Sequence, residues 1–131
     1  MLRKVTVDHA PSSASQARRE LGADLVGRGL PAAVVEDAAL IISELIGNSV
    51  RYGRPLPGGV LWVAWTVQPG CLLLRVTDGG GQQVPRFRDA GPSDVRGRGL
   101  AIVDALARKW GVDRHENGVG PVSTVWAELA V

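Results

Sequence analysis

Thiols are nearly missing from this sequence. Cys71 is the one cysteine in 131 residues, which excludes an internal disulfide and a cysteine metal cluster. Lysine is scarce too: of fifteen basic residues only Lys4 and Lys109 are lysines, the rest being arginine. Thirteen acidic residues leave a formal charge of +2, too small to imply a nucleic-acid partner. No apolar run approaches the roughly 18 residues of a membrane helix, and no signal-peptide pattern opens the chain. The expectation is a soluble cytoplasmic protein, with no membrane partner. Two nucleotide signatures are also absent. There is no Gly-Lys dipeptide and hence no P-loop, and no G-x-G-x-x-G follows a strand. What is there is a globular balance, 45% hydrophobic and 21% charged, in a length that fits one domain over 1–131 with a real core.

Along the chain, "RKVTVDH" (3–9) alternates as a strand, and serines followed by helix formers predict a helix from about 13 to 27. Pro31 suits the first turn of a second helix that runs to Gly53. "VLWVAWTVQ" and "CLLLRVTD", joined by Pro69-Gly70, read as a β-hairpin. Residues 79–96 have no period and are rich in glycine. "GRGLAIVDALARKWG" (97–111) reads as a third helix, and "WGVDRHE" and "VSTVWAELAV" as strands around an "NGVGP" turn. This order predicts an α+β two-layer sandwich, a mainly antiparallel mixed sheet with helices on one face. Its other face must be solvated or docked against a partner.

Within the second helix, "ELIGNSVRYG" (44–53) places a glutamate and an asparagine in an otherwise apolar run. Asparagine is a poor helix former, and a carboxylate in apolar surroundings is costly. With about 100° per residue and Glu44 at zero, Asn48 falls near 40°, Arg51 near −20° and Asp37 near 20°. Val35, Ala39, Ile42 and Ile46 lie roughly opposite and form the expected buried face. The polar stripe reads either as a solvated helix side or as one wall of a cleft. Its flanks, Leu40, Ile41 and Gly47, favour the cleft.

Two short motifs follow. "VTDGGG" (76–81) ends a strand with an aspartate backed by glycines, which can present a carboxylate in a close pocket; alone, Asp-Gly is a common turn. "GRGL" (97–100) opens a helix whose first N–H groups and dipole favour an anion; alone, it is an ordinary helix start.

In this order and spacing, "ELIGNSVRYG", "VTDGGG" and "GRGLAIV" resemble the N, G1 and G2 boxes of the GHKL ATPase/kinase superfamily, and "GPVSTVWAEL" resembles its last box. The similarity covers nearly the whole chain and is greatest to the RsbW-like and SpoIIAB-like serine kinases that act as anti-sigma factors. The resemblance implies a Bergerat-type ATP-binding fold, with ATP and Mg²⁺ as cofactors and a sigma factor or its STAS-type antagonist as partner. It implies Glu44 as general base, Asn48 as Mg²⁺ ligand, and Arg51 within the nucleotide site. Asp78 would accept a hydrogen bond from the adenine amino group, with Gly80 permitting close approach. Gly97, Arg98, Gly99 and Leu100 would hold the phosphates, and Thr124 would sit near the adenine with Asp78. Relatives often dimerise, so a homodimer is within this expectation. The last box departs from the pattern, because Pro121, Val122 and Ser123 separate Gly120 from Thr124.

The implied activity is protein serine kinase; the alternative is a binding module of the same fold that holds ATP and sequesters its partner. Residues 79–96, with Arg86, Arg88 and Arg96, read as a lid or as a solvated loop. His9 and His115 read as isolated surface residues. Trp62, Trp65, Trp110 and Trp126 read as sheet packing, or as a partner face where exposed.

Overall fold

The computed structural model describes residues 2–80, 95–117 and 120–131, without the side chains of residues 95–100 and 117. Elements follow one another as β1 (Leu2–Asp8), α1 (Ser13–Gly27), α2 (Ala32–Tyr52), β2 (Val60–Gln68), β3 (Cys71–Asp78), α3 (Val95–Leu106), β4 (Lys109–Asn117) and β5 (Gly120–Ala130). The strands form one sheet in the order β1-β2-β3-β5-β4. Every pairing is antiparallel, so the sheet is not mixed among the described strands. The architecture is α+β, an open sheet with its core between one face and the helices.

Period-two alternation decides which face that is. Leu61, Val63 and Trp65 of β2 and Leu72, Leu74 and Val76 of β3 are fully buried toward the helices. They meet Leu21 and Leu25 of α1 and Ile41, Ile42, Leu45 and Ile46 of α2 in one cluster, which also takes Val103 of α3. The β2–β3 hairpin closes Gln68 on Cys71 through Pro69-Gly70. Proline presets the first turn position, and glycine takes the φ of 74° at the second.

Three local expectations shift. Helix α2 starts after Pro31, which is its N-cap with extended ψ. No serine side chain caps α1; Ser13 Oγ instead donates to Asp8 O at 2.6 Å and ties the helix to β1. The third helix begins two residues before Gly97 and stops at Leu106. The residues expected to prolong it pair as strand, Lys109 with Glu128 and Trp110 with Ala127. Sheet pairing there overrides a helical pattern, helped by Arg108 N–H donating to Glu128 O at 2.7 Å and Trp110 Nε1 to Asp104 at 3.0 Å.

The buried face of α2 is also rotated from the expected one. Ala38, Ile41, Ile42, Leu45, Ile46, Asn48 and Ser49 are buried, whereas Val35 and Ala39 are half-buried. At about 100° per residue the buried arc centres about 120° from Glu44 instead of opposite it. The reason is that α2 is packed from two sides, by the sheet and by α1, with α3 along it as well. Ile41, expected to flank a cleft, belongs to the core. Leu40 remains 45% exposed.

Among the described residues no helix is long and apolar enough to cross a membrane.

Candidate functional site

The C-terminal turn of α2 meets the end of β3, and the polar residues gather there. Glu44 is half-buried and Arg51 exposed, with Nη2 of Arg51 lying back over Gly47 one turn earlier. Asn48 falls between the Glu44 stripe and the buried arc. It is only 6% exposed, and among the described residues its Nδ2 has no hydrogen-bond partner. A buried amide left unpaired costs about 1–3 kcal/mol, so Asn48 is retained against stability.

Asp78, the last residue of β3, is 5% exposed. Its Oδ1 accepts the Gly80 N–H at 2.8 Å. Burial pushes its carboxyl above the ordinary value, and the Gly80 N–H, the Ser49 hydroxyl and the charges of His9 and Arg114 offset part of that rise. The Ser49 hydroxyl itself makes no hydrogen bond of good geometry. A carboxyl that is half satisfied and shielded from water is suited to receiving a donor from a ligand.

Glycines clear the space around it. A Cβ on Gly53 would stand 2.5 Å from Asp78 Cγ, and one on Gly79 would overlap the Pro55 carbonyl. Gly53 has φ −97°, which any residue adopts, so room for the carboxyl explains this glycine. Gly80 has φ 77° and turns its N–H onto Asp78. A Cβ on Gly80 would meet nothing nearer than Pro121 at 3.7 Å, so the tight packing within the protein is at Gly53 and Gly79. Backbone bonds lock the two loops together: Arg54 N–H donates to Gly80 O at 2.6 Å and Gly79 N–H to Arg54 O at 2.7 Å.

The structure thus brings Asp78 and Gly80 to the end of the helix that carries Glu44, Asn48 and Arg51. Thr124 is not with them. Thr124 pairs with Thr77, and Ser123 with Asp78. Because side chains alternate, Thr124 lies on the other face, its Oγ1 2.7 Å from that of Thr77. It lines an open groove of about 330 Å³ with Lys4, Trp62 and Arg75. Ser123, 5% exposed, occupies the place expected of Thr124. Gly97, Arg98, Gly99 and Leu100 lie in the first two turns of α3. Of these only the Gly97 N–H falls in the first three helical residues, which have no intrahelical acceptor; Arg98, Gly99 and Leu100 lie beyond them. Residues 81–94, which hold most of the expected lid with Arg86 and Arg88, lie outside the described residues, as does the Arg96 side chain.

His9 was expected at the surface and is instead half-buried beside the site. Its Nε2 lies 3.2 Å from Ser49 O and 3.1 Å from Gly53 O. Nothing local in the sequence marks it, since its partners are forty residues away. Trp65 packs in the core as expected, while Trp62 is 45% exposed on the open face.

The histidine kinase-like ATPase domain family matches residues 7–126. No curated protein matches the chain significantly. Among solved structures, the RsbU and RsbW domains of Rv1364c from Mycobacterium tuberculosis are similar at TM-score 0.66 and 20% identity. That similarity covers 99% of this chain and 32% of the other, so the chain spans about a third of its length. At this identity the likeness concerns the fold, and the family match covers the helix, the Asp78 turn and Ser123 together. The chain belongs to the histidine kinase-like ATPase domain family.

Proposed function

We propose that this domain is an ATP- and Mg²⁺-dependent protein serine kinase that regulates a sigma factor by phosphorylating a STAS-type antagonist. The observation that carries the reading is the pair on α2: Glu44, half-buried, one turn before a buried Asn48 whose Nδ2 lacks a partner among the described residues. The residues present fit ATP and its metal. Asp78 offers a buried acceptor for the adenine amino group, and Ser123 stands in register beside it. Asn48 would hold magnesium, since a side-chain amide turned by 180° puts its oxygen where Nδ2 now stands. Among the described residues no three histidine, cysteine or carboxylate groups form a metal cage, and magnesium needs none when phosphates and waters complete its shell. Bound there, the ion would neutralise charge on the phosphates.

The remaining roles belong to the chain. Glu44 takes the proton of the acceptor hydroxyl as that oxygen attacks. Arg51 supplies a cation at the rim of the same face. Gly97 lies in the first turn of α3, where backbone N–H groups and the helix dipole favour an anion. The likeness in fold to a structure that contains an RsbW domain supports a partner of the RsbW type.

The test is co-purification of the partner from native cells, then addition of radiolabelled ATP. Glu44→Ala should leave ATP binding intact and slow transfer by roughly two to four orders of magnitude. Asn48→Ala should weaken Mg-ATP binding and transfer together. Undiminished transfer by Glu44→Ala would remove Glu44 as the base. A partner that is held but never phosphorylated by the unmutated protein would establish the binding module instead.

A further inference from the structure

His9 stands one residue beyond β1, yet it holds both ends of the loop between α2 and β2. Its backbone N–H donates to Gly59 O at 2.9 Å. Its ring Nε2 faces two carbonyls, Ser49 O at 3.2 Å and Gly53 O at 3.1 Å. Two acceptors at one ring nitrogen require that nitrogen to carry a proton, in the neutral or the charged ring alike. The Ser49 carbonyl already accepts the Gly53 N–H at 2.9 Å, and the last carbonyls of a helix carry its negative end. The imidazole therefore acts as the side-chain cap of α2, supplied from forty residues away.

What that cap fixes is the wall of the Asp78 pocket. Gly53 lies against the Asp78 carboxyl with no room for a Cβ. The next residue, Arg54, is bonded through both backbone groups to Gly79 and Gly80. A shift of Gly53 would thus be transmitted to the turn that aims Asp78. Among the described residues, His9 makes no hydrogen bond to Asn48, the phosphate-side residue on the turn above.

Resting on the adenine reading of Asp78 above, we propose that His9 is a positioning residue for base recognition. It holds the end of α2 and the Gly53–Gly59 loop so that the Asp78 pocket discriminates between purines. It touches neither the base nor the phosphates in this role. Its loss should therefore damage selectivity among bases more than affinity for phosphate.

Titration calorimetry of ADP, GDP and tripolyphosphate, each with magnesium, separates these effects on the full chain. The unmutated protein should prefer ADP to GDP. His9→Ala should weaken ADP by about tenfold, the scale of one lost hydrogen bond in a buried setting. It should bring the ADP and GDP affinities together and leave tripolyphosphate unchanged. His9→Gln, which retains an N–H donor, should restore much of the preference. An unchanged ADP-to-GDP ratio in His9→Ala overturns the proposal, as does an equal loss of all three ligands. The glutamine variant guards against misfolding: if it is as stable as the unmutated protein yet no more selective than His9→Ala, the cap is not what matters. A lack of preference in the unmutated protein overturns the adenine reading itself, and this proposal with it.

Discussion

On the adenine reading proposed above, Asp78 serves two opposed requirements. A ligand donor needs an accessible oxygen with unused capacity, whereas folding favours a carboxylate that is solvated or fully bonded. Burial wins in the free protein and raises the carboxyl above its ordinary value of 3.8, despite the Gly80 N–H and the positive charges nearby. For an acid with a raised folded-state value, ionisation costs stability. The cost is present at neutral pH and disappears as pH falls through the raised value toward 3.8. Asp78→Asn keeps an oxygen for Gly80 and removes the charge. It should raise the melting temperature of the ligand-free protein at pH 7, with the gain fading in acid. The same change should weaken ATP by roughly 1–3 kcal/mol while affecting GTP less. Parallel thermal scans and nucleotide titrations of both proteins measure this; a variant that is less stable at pH 7 would contradict it. Asp78, Asn48 and Glu44 were legible in the sequence because each departs from a local pattern. Ser123 and His9 were not. Which hydroxyl of "VST" shares a sheet face with Asp78 depends on register with β3, and the partners of His9 lie on another element.

The elements were legible where their determinants are local. Pro69-Gly70 closes its hairpin as the turn chemistry requires, and the apolar period of α2 identifies a long helix. The end of α3 was hidden, because Lys109 and Trp110 become strand through pairing with β5. The join between α1 and the sheet shows a further contact beyond sequence patterns. Trp65 is fully buried on β2, and its Nε1 donates to Asp24 on α1 at 2.7 Å. Asp24 also holds Arg28 at 2.8 Å. Although burial opposes it, these bonds and the charges of Arg28 and Arg3 hold the Asp24 carboxyl below its ordinary value. For a depressed acid the stabilisation is complete above 3.8 and is lost as pH falls toward the lowered folded value. Trp65→Phe should cost about 2–3 kcal/mol at pH 7 from the lost bond to a charged acceptor and the smaller ring. Urea unfolding at pH 7 and again near the acid limit should show the penalty shrink as Asp24 protonates.

At the scale of the molecule, the two faces of the sheet have different contents. One face carries the core and Asp78; the other carries Trp62, Lys4, Arg75 and the Thr77–Thr124 pair, open to solvent. The expectation that this face is either wet or docked stands as the sequence left it, since α2, α1 and α3 all pack on the first face. The strand order β1-β2-β3-β5-β4 has another effect. β5 follows β4 in sequence yet lies inside the sheet, between β3 and β4. During synthesis, β3 has an unpaired edge, and Asp78 lacks Ser123, until residues 120–130 leave the ribosome. Long-range pairing of this kind is slow and exposes edges while it waits. Nascent chains stalled before Gly120 should be cleaved rapidly by protease with or without ATP, whereas chains stalled well beyond residue 131 should resist. On the proposed function, occupancy of the pocket would therefore report that translation has passed β5, and nucleotide in the surrounding fluid would act on newly made chains as a late fastener rather than an early guide.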